Sequence, residues 1–138
     1  MNVEIFAFCE AADLSGTTEG KLSLNGIFDR ISTRIMPYRH ENFLLAIRIR
    51  FDPIESGYHE YRIDLVDADG RLLEPSRIGT FPRNCWSEAA FLVSNVFIPF
   101  RGIVFPQPGD YEARMAVNGH LSACAPLQLK TYPEISRL

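Results

Sequence analysis

The stretch QPGDYEARMAVNGHLSACAPLQL, residues 107–129, carries the clearest structural signal in the chain. Its first half alternates apolar and polar residues, which is the pattern of a strand with one face in a core. Asn118 and Gly119 interrupt the alternation, and Asn-Gly favours a type I′ turn because both central residues of that turn need positive φ. The apolar residues of the two halves are Tyr111, Ala113, Met115, Val117, Leu121, Ala123, Ala125, Leu127 and Leu129. The stretch therefore predicts an antiparallel hairpin with one buried face.

Two further segments, residues 43–51 and 59–67, alternate in the same way and place charged residues on their outer faces. Their inward residues are Phe43, Leu45, Ile47, Ile49, Phe51, Tyr61, Ile63 and Leu65. We expect the two segments to pair as an antiparallel hairpin, with arginines of one strand opposite acidic residues of the other. The tetrapeptide DADG, ending at Gly70, predicts a tight turn after the second strand.

Other segments rich in β-branched and aromatic residues, at residues 3–9, 21–28 and 90–100, bring the total to about eight strands. Turn signals recur about every ten residues, which is typical of a sandwich. We therefore predict an all-β fold, a single-domain antiparallel β-sandwich that is immunoglobulin-like or a similar Greek key. The domain covers residues 1–130, and residues 131–138 form a C-terminal tail.

Composition and charge argue against several classes of partner. The 138 residues carry 14 basic and 17 acidic side chains, a net charge of -3, which is too little positive charge to bind nucleic acid by neutralising phosphates. No apolar run approaches the ~20 residues of a membrane-spanning helix. The N-terminal sequence also lacks the basic region of a signal peptide. We expect a cytoplasmic protein that binds neither nucleic acid nor membrane.

Three cysteines, Cys9, Cys85 and Cys124, form no C-x-x-C pair. Such a sparse, odd count is typical of reduced thiols in a reducing compartment, although a bridge between Cys9 and Cys124 stays open. His120 precedes Cys124 by four residues, a spacing that suits a metal ion on a helix. On a strand the two residues lie about 13 Å apart, so we predict no shared metal ion.

The sequence shows no motif typical of catalysis. It contains neither a G-x-S-x-G nucleophile elbow nor a phosphate-binding glycine loop, and its three histidines lack zinc-ligand spacing. Asp52, Asp67 and Asp69 are loop acids of the kind that bind calcium in β-sandwiches, but DADG lacks the other acidic positions of a calcium loop. An Asx-type turn is the simpler interpretation. We predict a protein that is not an enzyme and holds no cofactor or metal.

A long loop over residues 74–88 is the best candidate for a ligand site. It holds Phe81, Arg83 and Trp86, the residue types that supply binding hot spots and stacking surfaces. A surface-exposed Trp86 beside other aromatic residues would favour binding of a small ligand or a carbohydrate. The other interpretation places Trp86 in the core at the start of the next strand.

The first strand, VEIFAFC at residues 3–9, is apolar on both faces. One face holds Val3, Ile5, Ala7 and Cys9, and the other holds Phe6 and Phe8. A strand in a two-layer sandwich turns only one face to the core, and we expect Phe6 and Phe8 to lie on the other face. A loop, the C-terminal tail or a twofold partner would then cover them. We predict a homodimer with Phe6 and Phe8 in its interface, because one patch serves both subunits.

Three segments together resemble a known family: FCEAADLSGTTEGKLSLNGIFDRI, LLAIRIRF followed by YRIDLVDADGR, and F-x-x-P-G-D-Y-E-A-R-M-A-V-N-G. The family consists of small bacterial all-β proteins recorded only as a domain of unknown function, and the resemblance covers roughly residues 1–130. It implies one sandwich domain and no activity, substrate or site. The leading hypothesis is a non-enzymatic protein–protein interaction or assembly module that self-associates or binds another protein. The alternative is a small-ligand or carbohydrate-binding module.

Overall fold

The structure, a computed structural model, describes residues 1–14, 21–55, 57–81 and 92–132. Over these ranges the chain forms nine β-strands and one short 3-10 turn, Pro53–Glu55. The strands are β1 (Asn2–Leu14), β2 (Leu22–Phe28), β3 (Arg30–Thr33), β4 (Tyr38–Phe51), β5 (Glu60–Val66), β6 (Arg77–Thr80), β7 (Leu92–Phe105), β8 (Gly109–Val117) and β9 (His120–Thr131). None of the described segments is a helix that is long and apolar enough to cross a bilayer.

The strands form two sheets. One has four strands in the order β2-β1-β4-β7, and the other has five in the order β3-β9-β8-β5-β6. Neighbouring strands are antiparallel except β3 and β9, which run parallel. The predicted all-β fold is confirmed, and the expectation of purely antiparallel sheets is wrong at this one pair. Alternation within a strand carries no information about the direction of a partner that is distant in sequence.

Strands β4 and β5 do not pair with each other. β4 pairs with β1 and β7 in the four-stranded sheet, whereas β5 pairs with β6 and β8 in the five-stranded sheet. The predicted hairpin between them is therefore wrong, because alternation defines which face of a strand is buried and not which strand lies beside it. The segment that contains Pro53–Glu55 carries the chain from one sheet to the other.

The two sheets share one hydrophobic core. Its largest fully buried side chains are Phe8, Phe43, Phe100, Phe105, Leu45, Ile47, Ile49, Ile63, Leu65, Met115, Leu127 and Leu129. The inward residues predicted for β4 and β8 are all buried, so the alternation is confirmed there. Tyr61 and Ala123 are half-buried, and Leu121 is exposed. Leu121 departs from the pattern because the pairing of β9 shifts register between Met115 and Ala116, which turns Leu121 outward.

Strand β1 faces the core with its phenylalanines, which reverses the predicted orientation. Phe8 is 1% exposed and stacks on Phe28 of β2 and Phe43 of β4, with ring centroids 6.0 and 5.8 Å apart. Phe6 is half-buried against the same core. The large rings therefore supply the buried apolar area, and the smaller residues of the strand face outward.

A register shift in the pairing of β1 with β4 adds to this reversal. The shift falls between Val3 and Ile5, so Val3 packs on the core on the same side as the two phenylalanines. The prediction that Phe6 and Phe8 face solvent is wrong, and the argument that placed them in a dimer interface no longer holds. A dimer formed through another surface stays a prediction.

The hairpin predicted from the Asn-Gly pair joins β8 to β9. Asn118 and Gly119 have φ angles of 50° and 83°, both positive as a type I′ turn requires. At the other end of β8, the Tyr111 hydroxyl donates a hydrogen bond to the Gln107 carbonyl, and the Gln107 amide donates back at 3.3 Å. These bonds fix the entry into β8.

Candidate functional site

The predicted ligand loop does not form a site among the described residues. Phe81 is 5% exposed and packs on Phe51 and Tyr61, with ring centroids 5.7 and 5.0 Å apart. The prediction that Phe81 binds a ligand at the surface is therefore wrong, because the ring fills space between the two sheets. Arg83 and Trp86 lie outside the described residues.

A groove of about 500 Å³ runs over β3, β9 and β8 and the turn after β5. Its ionisable side chains are Asp29, Arg30, Asp67, Asp110, Glu112 and Arg114. Asp29 pairs with Arg30 at 3.1 Å, and Glu112 pairs with Arg114 and raises the pKa of that guanidinium. The groove is therefore a mixed-charge surface in which two of the four carboxylates are already paired with arginines.

Asp67 in this groove is held by its own turn. Its Oδ1 accepts hydrogen bonds from the amides of Asp69 and Arg71, each at 2.9 Å, and Gly70 has a φ of 80°. This is the Asx-type turn that the sequence predicts. Asp52 belongs to the loop after β4, and no three Asp, Glu, His or Cys side chains of the described residues are arranged to hold a metal ion.

The two cysteines that the structure describes are free thiols on different sheets. Cys9 is buried on β1, and Cys124 is exposed on β9 opposite Arg114, so the bridge that the sequence left open is not formed. Burial raises the pKa of both thiols, which favours their protonated form at neutral pH. His120 is also exposed and is the first residue of β9, directly after the hairpin turn.

The outward surface of the four-stranded sheet is apolar across all four strands. One row of paired residues consists of Ile27, Cys9, Leu44 and Pro99, and the adjacent row consists of Ala7, Ala46 and Phe97. Alternation places these side chains on the side away from the core, and Ile5 extends the patch along β1. We call the surface formed by Ile5, Ala7, Cys9, Ile27, Leu44, Ala46, Phe97 and Pro99 the outer apolar face.

The centre of the outer apolar face is buried, and its edge is exposed. Cys9 and Ala46 are 0% exposed although neither belongs to the core cluster, whereas Ile27 on the edge strand β2 is 62% exposed. With strands about 4.8 Å apart and alternate residues about 6.8 Å apart, the face measures roughly 19 by 20 Å, on the order of 400 Å². Ile27 and Pro99 are exposed, whereas Ile5, Ala7, Leu44 and Phe97 are half-buried, so the face is a partly exposed apolar surface.

Polar side chains bound the outer apolar face at both ends. At one end Glu4 on β1 pairs with Arg48 at 3.1 Å and with Arg50 at 3.0 Å, both on β4. At the other end Asn42 and Arg101 pair across β4 and β7, and both are exposed. An apolar centre with a polar rim is the usual anatomy of a protein–protein interface.

The outward surface of the five-stranded sheet is mixed in charge. Arg62 pairs with Asp64 at 3.2 Å on β5, and Arg114 pairs with Glu112 on β8. Ile78 lies beside Arg62 on the edge strand β6 and is 65% exposed, almost the same as Ile27 on β2. This surface is an ordinary solvated sheet face and provides a matched comparison for the outer apolar face.

The sequence held part of the signal for the outer apolar face. The first strand is apolar on both sides, and the sequence predicted Phe6 and Phe8 on its outward side, whereas the outward set is Ile5, Ala7 and Cys9. Leu44 and Phe97 were not predicted, because Arg48 and Arg50 made the outer side of β4 look uniformly charged. The unbroken apolar runs FLLAI and VFIPF were the signal that could have found them.

Comparison with known proteins assigns a family and no activity. Residues 4–130 match the family described as "Family of unknown function (DUF6941)", so the chain belongs to that family, and the predicted resemblance to a domain of unknown function is confirmed. Among curated proteins, none matches the chain significantly.

One solved structure shows a low similarity, that of Pseudomonas fluorescens alkylpurine DNA glycosylase AlkC bound to DNA containing an abasic site analog. The match has 16% sequence identity and a TM-score of 0.42, and it covers 74% of this chain. The chain spans only 28% of the length of the glycosylase chain. A TM-score below 0.5 carries no argument about the fold or the function of this protein.

Proposed function

We propose that the chain is a non-enzymatic protein-contact module of the cytoplasm, and that it binds its partner protein through the outer apolar face. One observation carries the proposal: of two adjacent outward-facing apolar rows, one crosses all four strands of the sheet and the other crosses β1, β4 and β7. An antiparallel sheet with one face on a core ordinarily carries mainly polar residues on its outer side. The outer side of the five-stranded sheet carries the ion pairs Arg62–Asp64 and Arg114–Glu112 beside the exposed Ile78 and Leu121. An apolar outer side is consistent with a sheet that is covered when the protein acts.

The fold that presents this face is an immunoglobulin-like Greek key. Its support is the strand order: β1, β4 and β7 lie in the positions of strands A, B and E, and β5, β8 and β9 lie in the positions of C, F and G. Further support comes from Tyr111, whose hydroxyl bonds the backbone four residues upstream near the start of β8, as in the tyrosine corner of such domains.

The mixed-charge groove supports contact rather than catalysis. Arg30 and Arg114 pair with two of its carboxylates, and the turn amides hold Asp67, so these groups already have structural partners. The small-ligand alternative loses support because Phe81 lies in the core. Two free thiols, one of them exposed on β9, are consistent with a reducing compartment such as the cytoplasm.

Site-specific photo-cross-linking in the native cell tests the proposal. Ile27 and Ile78 are matched sites, one on the edge strand of each sheet, and both are more than half exposed. Each is replaced in turn by photo-reactive p-benzoylphenylalanine. The proposal predicts a discrete protein adduct from position 27 and none from position 78. Equal adducts from both positions, or none from position 27, would contradict it.

A further inference from the structure

We infer that the partner on the outer apolar face is a second copy of this chain, related by a twofold axis that lies in the interface and runs parallel to the strands. This inference rests on the proposed function, because it names the occupant of the same surface. It is supported by the area of the sheet and by the arrangement of charge at one end of the outer apolar face.

The area of the four-stranded sheet suits a dimer. β4 and β7 have 14 residues each and β1 has 13. At about 3.3 Å per residue and about 4.8 Å between strands, the sheet offers roughly 750 Å² on its outer side. Two such outer sides in contact, each an outer apolar face together with its polar ends, would bury roughly 1,500 Å², which is close to the size of a standard stable interface.

The shape of the face also suits a second copy. Cys9 and Ala46 are 0% exposed, and the hollow beside them, lined in part by Ala11, Leu44 and Pro99, measures about 250 Å³, which is below the roughly 300 Å³ at which small-ligand pockets begin. Sheets commonly pack face to face about 10 Å apart with their strands nearly aligned, and the inner faces of the two sheets of this chain already share one core. A second outer apolar face provides the extended flat surface that this one requires.

The charges at one end of the face are complementary under this symmetry. A twofold axis between β1 and β4, parallel to both, places β1 of one copy over β4 of the other. Glu4 on β1 then lies at the level of Arg48 and Arg50 of the second copy, and the reverse contact forms at the same time. Within one chain Glu4 already pairs with both arginines, so each carboxylate bridges arginines of both copies.

The same axis keeps apolar residues together along the rest of the interface. It places β2 of one copy over β7 of the other, so Ile27 lies at the level of Pro99, its row partner across the sheet. Ile27 is the most exposed large side chain of the face, and a charge introduced there would be buried without a partner.

Sedimentation velocity over a concentration series, from about 1 to about 300 μM, tests the inference. We expect wild type to form dimers, Ile27→Glu to weaken the dimer by more than about tenfold, and the matched control Ile78→Glu to leave it unchanged. Glu4→Arg should also weaken the dimer, and Glu4→Arg with Arg50→Glu should restore it, because the exchange rebuilds the pair within and between copies. Circular dichroism and melting curves establish that each variant is folded.

A wild type that stays monomeric throughout the series would overturn the inference, as would an Ile78→Glu variant that dissociates as readily as Ile27→Glu. Failure of the exchange to restore the dimer would overturn the twofold axis parallel to the strands. A monomeric wild type that still gives a cross-link from position 27 to a different protein would leave the proposed function standing. The two proposals therefore fail in distinguishable ways.

Discussion

Replacing Phe8 with alanine tests the orientation of β1, on which the assignment of the outer apolar face depends. The ring is 1% exposed and contacts the rings of Phe28 and Phe43 at centroid distances of 6.0 and 5.8 Å. Removing a buried phenylalanine costs about 3–5 kcal/mol, since the transfer free energy is lost and a cavity remains. Because two aromatic contacts are also lost, we expect the free energy of unfolding to fall by about 4 kcal/mol, in the middle or upper part of that range.

A stability loss of this size is large enough to measure by two methods. In urea the midpoint of unfolding should fall while the slope stays constant, which shows that stability has changed and not the denatured state. For 138 residues the entropy of unfolding is roughly 0.3 kcal/mol/K, so about 4 kcal/mol corresponds to a melting temperature lower by roughly 14 °C. Both measurements are made at low micromolar protein concentration, where self-association contributes least to the measured stability.

Phe97→Ala is the matched control, since Phe97 lies on the opposite side of the same sheet and is outside the core cluster. We expect it to cost less than half as much as Phe8→Ala, because partly exposed side chains leave no sealed cavity. If Phe97→Ala destabilised the monomer as much as Phe8→Ala, the inward and outward sides of the sheet would be exchanged. The outer apolar face would then be wrongly assigned.

Three further predictions concern the turn, the tyrosine and a titrating carboxylate. Gly119→Val should lower the free energy of unfolding by more than about 1 kcal/mol, because a φ of 83° strains a β-branched residue even though the new Cβ would meet no other atom. Gly119→Asn should lower it less. Equal melting temperatures for wild type and Gly119→Val would refute the turn. Tyr111→Phe should cost about 1 kcal/mol in urea unfolding, because the Gln107 carbonyl loses its hydroxyl donor, and an unchanged midpoint would show that the bond is dispensable. The Met1 ammonium, at 2.6 Å, and the Asp52 amide lower the pKa of Glu55 below its ordinary 4.5, so the stabilisation is present above that value and is lost as the pH falls through the lowered pKa. Glu55→Gln should therefore be less stable than wild type at pH 7 and converge with it in acid, and a constant difference in unfolding midpoint across the pH range would contradict this account.

The features that the sequence predicted correctly are those set by local chemistry. Period-two alternation identified the buried sides of β4, β5 and β8, since successive side chains of a strand must point in opposite directions. The Asn118-Gly119 pair predicted the type I′ turn, because few residues other than Asn and Gly tolerate the positive φ angles that this turn requires. Asp67 likewise predicted an Asx-type turn, since its carboxylate reaches the amides that follow it.

The wrong predictions share a different physical origin: they depend on which other strands and side chains a strand packs against. Nothing within β4 or β5 indicates that the chain crosses between sheets at Pro53–Glu55, so adjacent strands in sequence were taken to be adjacent in space. On β1, both sets of side chains are apolar, and the choice between them depends on Phe28 and Phe43 of other strands. Phe81 likewise has a core position that only its contacts across the sheets define.

The outer apolar face was accessible to sequence reasoning only in part. A strand that is apolar on both sides must bury both sides against something, and the sequence of β1 shows this pattern. The face itself requires the register of four strands, because Ile27, Cys9, Leu44 and Pro99 come from widely separated segments and meet only through pairing. Local patterns do not encode that register, so the surface becomes visible only in the folded chain.

A dilution series followed by two-dimensional amide NMR tests the central claim most directly, because it reports which surface self-associates. We predict concentration-dependent shifts on the outward residues of β1, β2, β4 and β7, centred on Ala7, Ala46 and Ile27, with little change at Ile78 and Leu121 of the five-stranded sheet. Shifts confined to the five-stranded sheet, or a spectrum that does not change up to about millimolar protein, would contradict the claim that the outer apolar face is the contact surface between two copies.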